Sequence, residues 1–396
     1  MLPGDGVIRV AADARCLNAP HLRGMGKYFS QIVSRLSHEG AVHWSLLAPY
    51  LDLPCHRPPG LVGDVDVFEC RGERLRLWEQ LALPRRTHAI NVDVLHCPGT
   101  TLPWWQPVPT VVTLHDVIPW HEGGAGWLPK WYRSALPFAF RKCAAIITVS
   151  ECSRRDIGKL WPGLARKTCV IPHGVDECFL DVEPAPLSET LKSSGVPSPY
   201  LLYFGGEAPR KRLDWAIRIL EGLGHGRAGL VVCGVPAQTH GRIRDSIKPD
   251  FRSRVYFAPF IPELEMPRLY QNALAVLYPS LYEGFGLPVL ESQAVGTPVL
   301  FSPVGSLAEL RGPGAVTLPP HDLPAWIAAC SRCVTERSSE PRPQWEARRW
   351  ARQFSWEISA GRHLEVYRFA AAIRRRANRG RRGMCPGRSL EALSAS

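Results

Sequence analysis

No run in this 396-residue chain reaches the roughly 18 to 20 consecutive apolar residues that a membrane-spanning helix needs, so no transmembrane helix is expected. Residues 1–15 lack a basic segment followed by an apolar one, which argues against a secretory signal. The 12 cysteines are scattered, with no spacing that reads as a secreted disulfide framework, and free thiols are expected. Cys330 and Cys333 form a lone C-x2-C pair without a second pair at zinc spacing, so no metal site is read there. A solenoid repeat is absent, as is any recognised nucleic-acid module with interleaved aromatics. Cytoplasmic residence is the default expectation, with peripheral contact at the inner face of the cell membrane as a further option.

What is present is globular in character. Apolar residues make up 45% and charged residues 21%, close to average usage, and the length suits two domains with separate cores. The net charge is +12. Seven arginines against one glutamate from Arg374 onward supply half of it. Such a surface attracts nucleic acid, anionic lipid or anionic substrate, and charge alone does not choose among them.

The chain is organised around residues 275–302. Ala275 to Tyr278 reads as a strand buried on both faces, ended by Pro279 and Ser280. Glu283, Gly284, Phe285 and Gly286 follow, with glycines that permit positive φ and close approach of a ligand to the backbone. Pro288 suits the first turn of a helix running to Val295, which Gly296 caps and Pro298 ends, before a strand near Val299. A glycine loop leading into a helix N-terminus favours a phosphate. Glu283 and Glu291 flank that spot and would repel it, so they suit neutral hydroxyls, and a sugar nucleotide fits both demands.

The Glu-x7-Glu spacing of Glu283 and Glu291 around Gly-Phe-Gly-Leu-Pro resembles the signature of glycosyltransferase family 4, retaining enzymes of the GT-B fold. The resemblance implies that Glu283 faces the donor sugar, that Glu291 binds ribose hydroxyls, and that backbone groups of Gly284, Phe285, Gly286 and Leu287 meet the sugar and diphosphate. Other segments match in order from about Val7 to Ala372. Arg210 and Lys211, after the strand Tyr200–Phe204, resemble the phosphate-contacting basic pair, although Gly206 stands where many members carry a further arginine. His115-Asp116, ending the stretch Thr110–Ile118, resembles the motif whose histidine lies near the donor sugar. Gly24 and Gly26, before an amphipathic helix from about Lys27 to Leu36, resemble the loop facing the donor diphosphate. Phe260 and Ile261, after Val255–Phe260, take the place of nucleotide-base contacts. Residues 170–176 resemble the Ile-Pro-Asn-Gly-Val-Asp segment closing the first domain, with His173 in place of asparagine. Phe354 to Glu357 resembles the start of the final helix.

Further strands are expected at Val7–Ala12, Val62–Phe68, Val92–His96, Ala144–Val149 and Gly229–Cys233, with a helix over Arg71–Leu83 and another beginning at Gly305. Asp64-Val65-Asp66 matches a divalent-metal pattern, but it sits in an alternating strand and is read as structural; the metal set is expected to be none. Ser150 is expected to N-cap the helix that follows it.

The expected fold is α/β, GT-B, with two Rossmann-like domains facing across a cleft. Residues 1–185 form the acceptor-side domain, 186–355 the donor-nucleotide domain, 356–372 a helix returning to the first domain, and 373–396 a basic disordered tail; Asp181–Ser198 reads as the linker. The expected activity is retaining transfer of a sugar from a GDP- or UDP-sugar to a hydroxyl of a glycan or lipid-linked acceptor. No cofactor and no nucleic-acid partner are expected. An epimerase or phosphorylase on the same frame, and a non-catalytic sugar-nucleotide or nucleic-acid-binding protein, remain as alternatives.

Overall fold

The computed structural model describes residues 6–19, 21–22, 24–49, 65–70, 77–121, 128–226, 228–335 and 341–378. The chain divides into two compact units, Met1–Gly174 with Trp356–Ser396, and Val175–Ser355.

The first unit holds a parallel sheet of seven strands: β1 Ile8–Asp13, β2 Val42–Pro49, β3 Val65–Cys70, β4 Val94–Cys97, β5 Thr110–Thr113, β6 Ala145–Thr148 and β7 Thr168–Val170. Their spatial order is β3-β2-β1-β4-β5-β6-β7. Apolar side chains occupy both faces, which is why the strands read as short continuous runs. Successive residues alternate between two cores: Val10 and Ala12 join Phe29 and Trp44, whereas Ala11 joins Leu95 and Val112. Helix Met25–His38 buries Tyr28, Ile32, Val33 and Leu36, the stripe that its periodicity predicts.

The last helix, Trp356–Asn378, places Trp356, Leu364 and Tyr367 in the same core and so belongs to the first unit. It extends past the expected limit at residue 372. The tail expected to be disordered lies, from residue 379 on, outside the described residues.

The second unit has six parallel strands: β8 Tyr200–Phe204, β9 Gly229–Cys233, β10 Val255–Phe257, β11 Ala275–Tyr278, β12 Val299–Phe301 and β13 Ala315–Thr317. Their order is β10-β9-β8-β11-β12-β13. Each unit is thus Rossmann-like. In both sheets the chain runs outward through its first three strands, then crosses back and continues on the other side of the first strand with its fourth. The switch points lie between β1 and β4 and between β8 and β11. Parallel α/β sheets open a crevice there, at the carboxyl ends of the strands.

Several boundaries differ from the sequence expectation. The division falls after Gly174 rather than at 185, because Val175 pairs with Ser355, and Arg348 donates to the carbonyls of Leu180 and Val182. The segment expected as a linker contains a helical turn, Glu189–Ser193, capped by Ser188, whose hydroxyl also donates to Glu265. Of the expected strand Val62–Phe68, residues 62–64, and with them Asp64, lie outside the described residues. Of the expected helix Arg71–Leu83, residues 71–76 do as well. A π-helical turn then covers Trp78–Ala82, ahead of helix Leu83–Ala89. β5 stops at Thr113 because Asp116 accepts from the Ile118 N–H and turns the chain. β10 stops at Phe257, and Gly305–Leu310 is a 3-10 helix.

Candidate active site

At the β8/β11 switch point two loops meet. β8 ends at Phe204, and the chain passes Gly205 and Gly206 to a 3-10 turn, Pro209–Lys211. A Cβ on Gly205 would stand 2.2 Å from the Tyr203 hydroxyl, so only glycine fits there. That hydroxyl donates to the Lys211 carbonyl at 3.2 Å and steadies the turn. The β11 loop is tied to the same turn through the Leu281 N–H, which donates to the Arg210 carbonyl at 2.8 Å.

The result is a compact charge cluster. Glu283 Oε1 lies 2.5 Å from Lys211 Nζ and 3.1 Å from Arg210 Nη1, and accepts from Ser280 Oγ at 2.6 Å. Arg210 Nη1 also donates to the Tyr282 carbonyl at 3.0 Å, and Lys211 Nζ to the Tyr278 hydroxyl at 3.1 Å. Glu283 is buried. Burial, with the Glu283 carboxylate next to it, holds the Tyr278 hydroxyl well above the usual phenol range, so it stays protonated. Three donor types thus converge on one buried carboxylate with a local charge of plus one.

The glycine loop then enters helix Leu287–Val295. Gly286 has φ +117°, and a Cβ there would come within 2.4 Å of Leu307 Cδ2. Ser306 Oγ pins the loop through the carbonyls of Glu283 at 2.6 Å and Phe285 at 3.1 Å. The Phe285 ring is buried and meets Phe354 edge-on at 6.2 Å. Pro288 sits in the first turn, and Gly296 caps the helix with φ +82°, as read from the sequence. Glu291 lies buried one turn into the helix and accepts from the Tyr270 hydroxyl at 2.7 Å. Tyr270 is stacked on Phe204 at 4.8 Å, and its carbonyl accepts from Thr297 Oγ1 at 2.8 Å.

Phe260 is half exposed beyond β10, with Ile261 next to it. Because β9 stands between β10 and β8, this loop begins roughly 10 Å from the β8 loop. The second unit therefore gathers Glu283, Arg210, Lys211, Glu291 and the Gly284–Leu287 loop, with Phe260 and Ile261 further along the same sheet.

The first unit carries the remaining three positions. Gly24 has φ +47° and precedes helix Met25–His38, and Gly26 lacks room for a Cβ, which would lie 2.5 Å from the Cys16 carbonyl oxygen. His115 follows β5, and its Nε2–H donates to the Pro98 carbonyl at 2.9 Å. Its ring packs edge-on to Tyr28 at 5.0 Å and against His173 at 5.4 Å. Burial pushes His115 down to about 4, so it is neutral at physiological pH.

Behind His115 runs a buried polar chain. His363 Nδ1–H donates to the Ser359 carbonyl at 2.7 Å, leaving Nε2 to accept from Tyr28 at 2.6 Å. Thr113 then donates to the Tyr28 oxygen at 2.9 Å, and His96 Nε2–H to Thr113 at 2.9 Å. His96 Nδ1 accepts from Tyr367 at 2.8 Å. Every donor and acceptor in this series is matched with both histidines neutral.

Sequence reasoning missed Tyr278, Ser280, Tyr270, Tyr203 and Ser306, the residues that hold the charged groups in place. Tyr278 and Ser280 lie inside the motif and show that the strand-end position was readable. Tyr270 and Ser306 come from separate elements, with no local signal.

Two family descriptions match the chain: "Glycosyltransferase Family 4" over residues 22–178 and "Glycosyl transferases group 1" over residues 198–336. Among curated relatives, O-antigen chain mannosyltransferase B of Escherichia coli is 28% identical over 244 residues, covering 60% of this chain and 64% of that protein. A Mycobacterium tuberculosis glycogen synthase is 29% identical over 293 residues, covering 72% of this chain and 68% of that protein. The chain spans 64% and 59% of the length of two mannosyltransferase relatives, the second being RfbU of Salmonella typhimurium, 25% identical over 55% of this chain. Of solved structures, a sucrose-phosphate synthase from Thermosynechococcus elongatus superposes with a TM-score of 0.74 at 19% identity, covering 92% of this chain and all of that one. Anabaena HepE in complex with UDP and glucose does so with 0.69 at 18% identity, covering 91% and 99%. The fold is the one these structures share.

Proposed function

We propose that this chain, which belongs to glycosyltransferase family 4, moves a hexose from a nucleoside diphosphate sugar to a hydroxyl of a glycan or lipid-linked acceptor, with retained anomeric configuration. The observation that carries the reading is the pairing of Arg210 and Lys211 with buried Glu283 at the β8/β11 switch point, beside a helix N-terminus. Two cations and a helix end suit a diphosphate. A buried carboxylate and a tyrosine-held second one suit neutral hydroxyls.

In the proposed reaction the bond from the anomeric carbon to the diphosphate oxygen breaks while the acceptor oxygen bonds to that carbon on the same face. The acceptor proton passes to the departing diphosphate oxygen. Arg210 and Lys211 turn from Glu283 to the leaving phosphate as its charge grows, a contribution of several kcal/mol in a dry site. Glu283, released from them, faces the donor sugar. Glu291, held by Tyr270, binds ribose, and backbone groups of Gly284 to Leu287 meet the sugar and diphosphate. Phe260 with Ile261 meets the base. No covalent nucleophile, metal or cofactor is invoked.

GDP-mannose is the first donor to test, because two relatives are named mannosyltransferases. UDP-glucose is the second, because a solved neighbour carries UDP and glucose. Among the described residues no helix is long and apolar enough to cross a membrane. A lipid-linked acceptor would be met from the surface of an anionic membrane, which the charge of +12 favours.

A sugar-nucleotide panel read by thermal shift tests the reading, since a ligand at a hundred times its dissociation constant adds about 2.7 kcal/mol of stability. The stabilising donor should then release nucleoside diphosphate only when an acceptor alcohol is added. Absence of any stabilising donor, or equal release without acceptor, would reject it.

A further inference from the structure

The first unit has its own switch point, between β1 and β4, and a second built cluster stands there. β1 ends at Asp13, which Arg15 grips with both Nε and Nη2. Arg15 Nη2 also bonds to Glu79, and to Thr101 at 3.3 Å, in the loop after β4. Glu79 is 1% exposed and fully occupied: one oxygen accepts from Tyr132 and Gln80, the other from Arg15 and Thr101. Arg15 Nη1 makes no hydrogen bond among the described residues, and its side chain is 21% exposed.

An aromatic wall continues from this cluster. Trp104 and Trp131 are 39% and 57% exposed, lie 6.5 Å apart edge to face, and pack on Tyr132 at 6.1 and 5.2 Å. The Trp104 N–H donates to Gln80 Oε1 at 2.9 Å, joining the wall to the polar cluster.

The charges decide what this edge accepts. A lone exposed arginine would draw a phosphate. Arg15 is bound by two carboxylates, so the local sum is minus one, or zero with Glu79 protonated. Its remaining N–H groups can donate to a hydroxyl oxygen, but no positive field is left for an anion. The tryptophan faces carry partial negative charge and match the C–H face of a sugar ring.

We propose that this edge binds an uncharged pyranose of the acceptor glycan, with Arg15 Nη1 donating to a ring hydroxyl and Trp104 and Trp131 covering its apolar face. The inference rests on the glycosyltransferase reading and deepens it: the acceptor is a neutral sugar chain, not a phosphorylated sugar or cyclitol. Glu79, Asp13 and Gln80 are positioning residues that hold Arg15 and the wall.

The test uses the full chain, with saturation-transfer NMR and calorimetry on methyl α-mannoside, mannobiose and maltotriose, alongside mannose 6-phosphate and glucose 6-phosphate. Neutral glycans should bind, and the phosphates at least about tenfold more weakly, because unmatched like charge is penalised. Trp104→Ala with Trp131→Ala, both on the surface and so compatible with folding, should weaken the neutral glycans about tenfold and leave nucleoside diphosphate binding unchanged. Phosphates binding as tightly as neutral sugars, or full glycan affinity in the tryptophan variant, would overturn the proposal. So would absence of glycan binding alongside intact nucleoside diphosphate binding, or tryptophan-dependent binding to phosphatidylglycerol vesicles instead of glycans. Loss of nucleoside diphosphate binding in the unaltered chain would overturn the transferase reading, and this one with it.

Discussion

Lys211 Nζ lies 2.5 Å from Glu283 Oε1, so the cation assigned to the leaving group and the carboxylate assigned to the donor sugar are partners before either meets a ligand. Arg210 shares the same oxygen at 3.1 Å. A diphosphate that enters must compete with Glu283 for both cations. The exchange leaves the buried Glu283 carboxylate without its cations, so hydroxyls of the donor sugar have to take their place.

Lys211→Ala should therefore lower kcat about 100- to 1000-fold, as expected for removal of one preorganised donor to developing charge, and weaken nucleoside diphosphate binding as well. Activity should survive EDTA, because the proposed mechanism gives the leaving group's charge to Arg210 and Lys211. Turnover abolished by chelation and restored by magnesium would assign that charge to a metal instead.

The two glutamates should separate. Glu291→Gln changes the proposed ribose contact, which would be made equally in ground and transition states, so it should weaken donor and free nucleoside diphosphate alike, about ten- to a hundredfold. Tyr270→Phe should do the same to a smaller degree, through loss of the 2.7 Å hydrogen bond. Glu283→Gln frees Arg210 and Lys211, so nucleoside diphosphate affinity should hold or rise while the rate at saturating donor falls. Equal loss of diphosphate affinity in both variants would refute the division of roles.

The buried histidine chain sets a pH limit on stability. His363 is pushed down to about 4, chiefly by burial, from an ordinary value near 6.5. Between those values the unfolded chain binds protons that the folded chain does not, so stability is full above 6.5 and falls as pH drops toward 4. His363 alone should cost about 2 kcal/mol by pH 5. His96 and His173, lowered well below the usual range by burial, act in the same direction. Urea midpoints at pH 7 and pH 5 check this, and His363→Gln should reduce the difference by about the 2 kcal/mol assigned to His363, leaving the share of His96 and His173.

Gly286 has the left-handed φ of +117° and no room beside Leu307. Gly286→Ala should destabilise the second unit by about 1 to 3 kcal/mol, and it should cost donor binding too, since the loop it shapes carries Glu283. A denaturation curve with a parallel nucleoside diphosphate titration reads both effects.

How far the sequence revealed these features depends on how local they are. β8, β9 and β11 were legible to the residue, because buried parallel strands are continuous apolar runs closed by glycine or proline. Glu283, Gly286 and Glu291 were legible because they share one strand-loop-helix unit. β13, three half-buried residues at the sheet edge, gave no such run. The helix Lys130–Lys142 hid behind Pro137 in its interior. Arg15 and Glu79 stand 64 residues apart, and Tyr270 and Glu291 come from separate helices, so those pairs are properties of the switch-point topology rather than of any local pattern.

The most direct measurement is proton NMR of the reaction with an α-linked sugar nucleotide and a neutral glycan acceptor. An α-linked product, formed in step with released nucleoside diphosphate, is the expected result. A β-linked product, or free sugar and diphosphate without any glycosylated acceptor, would contradict retaining transfer at Glu283, Arg210 and Lys211.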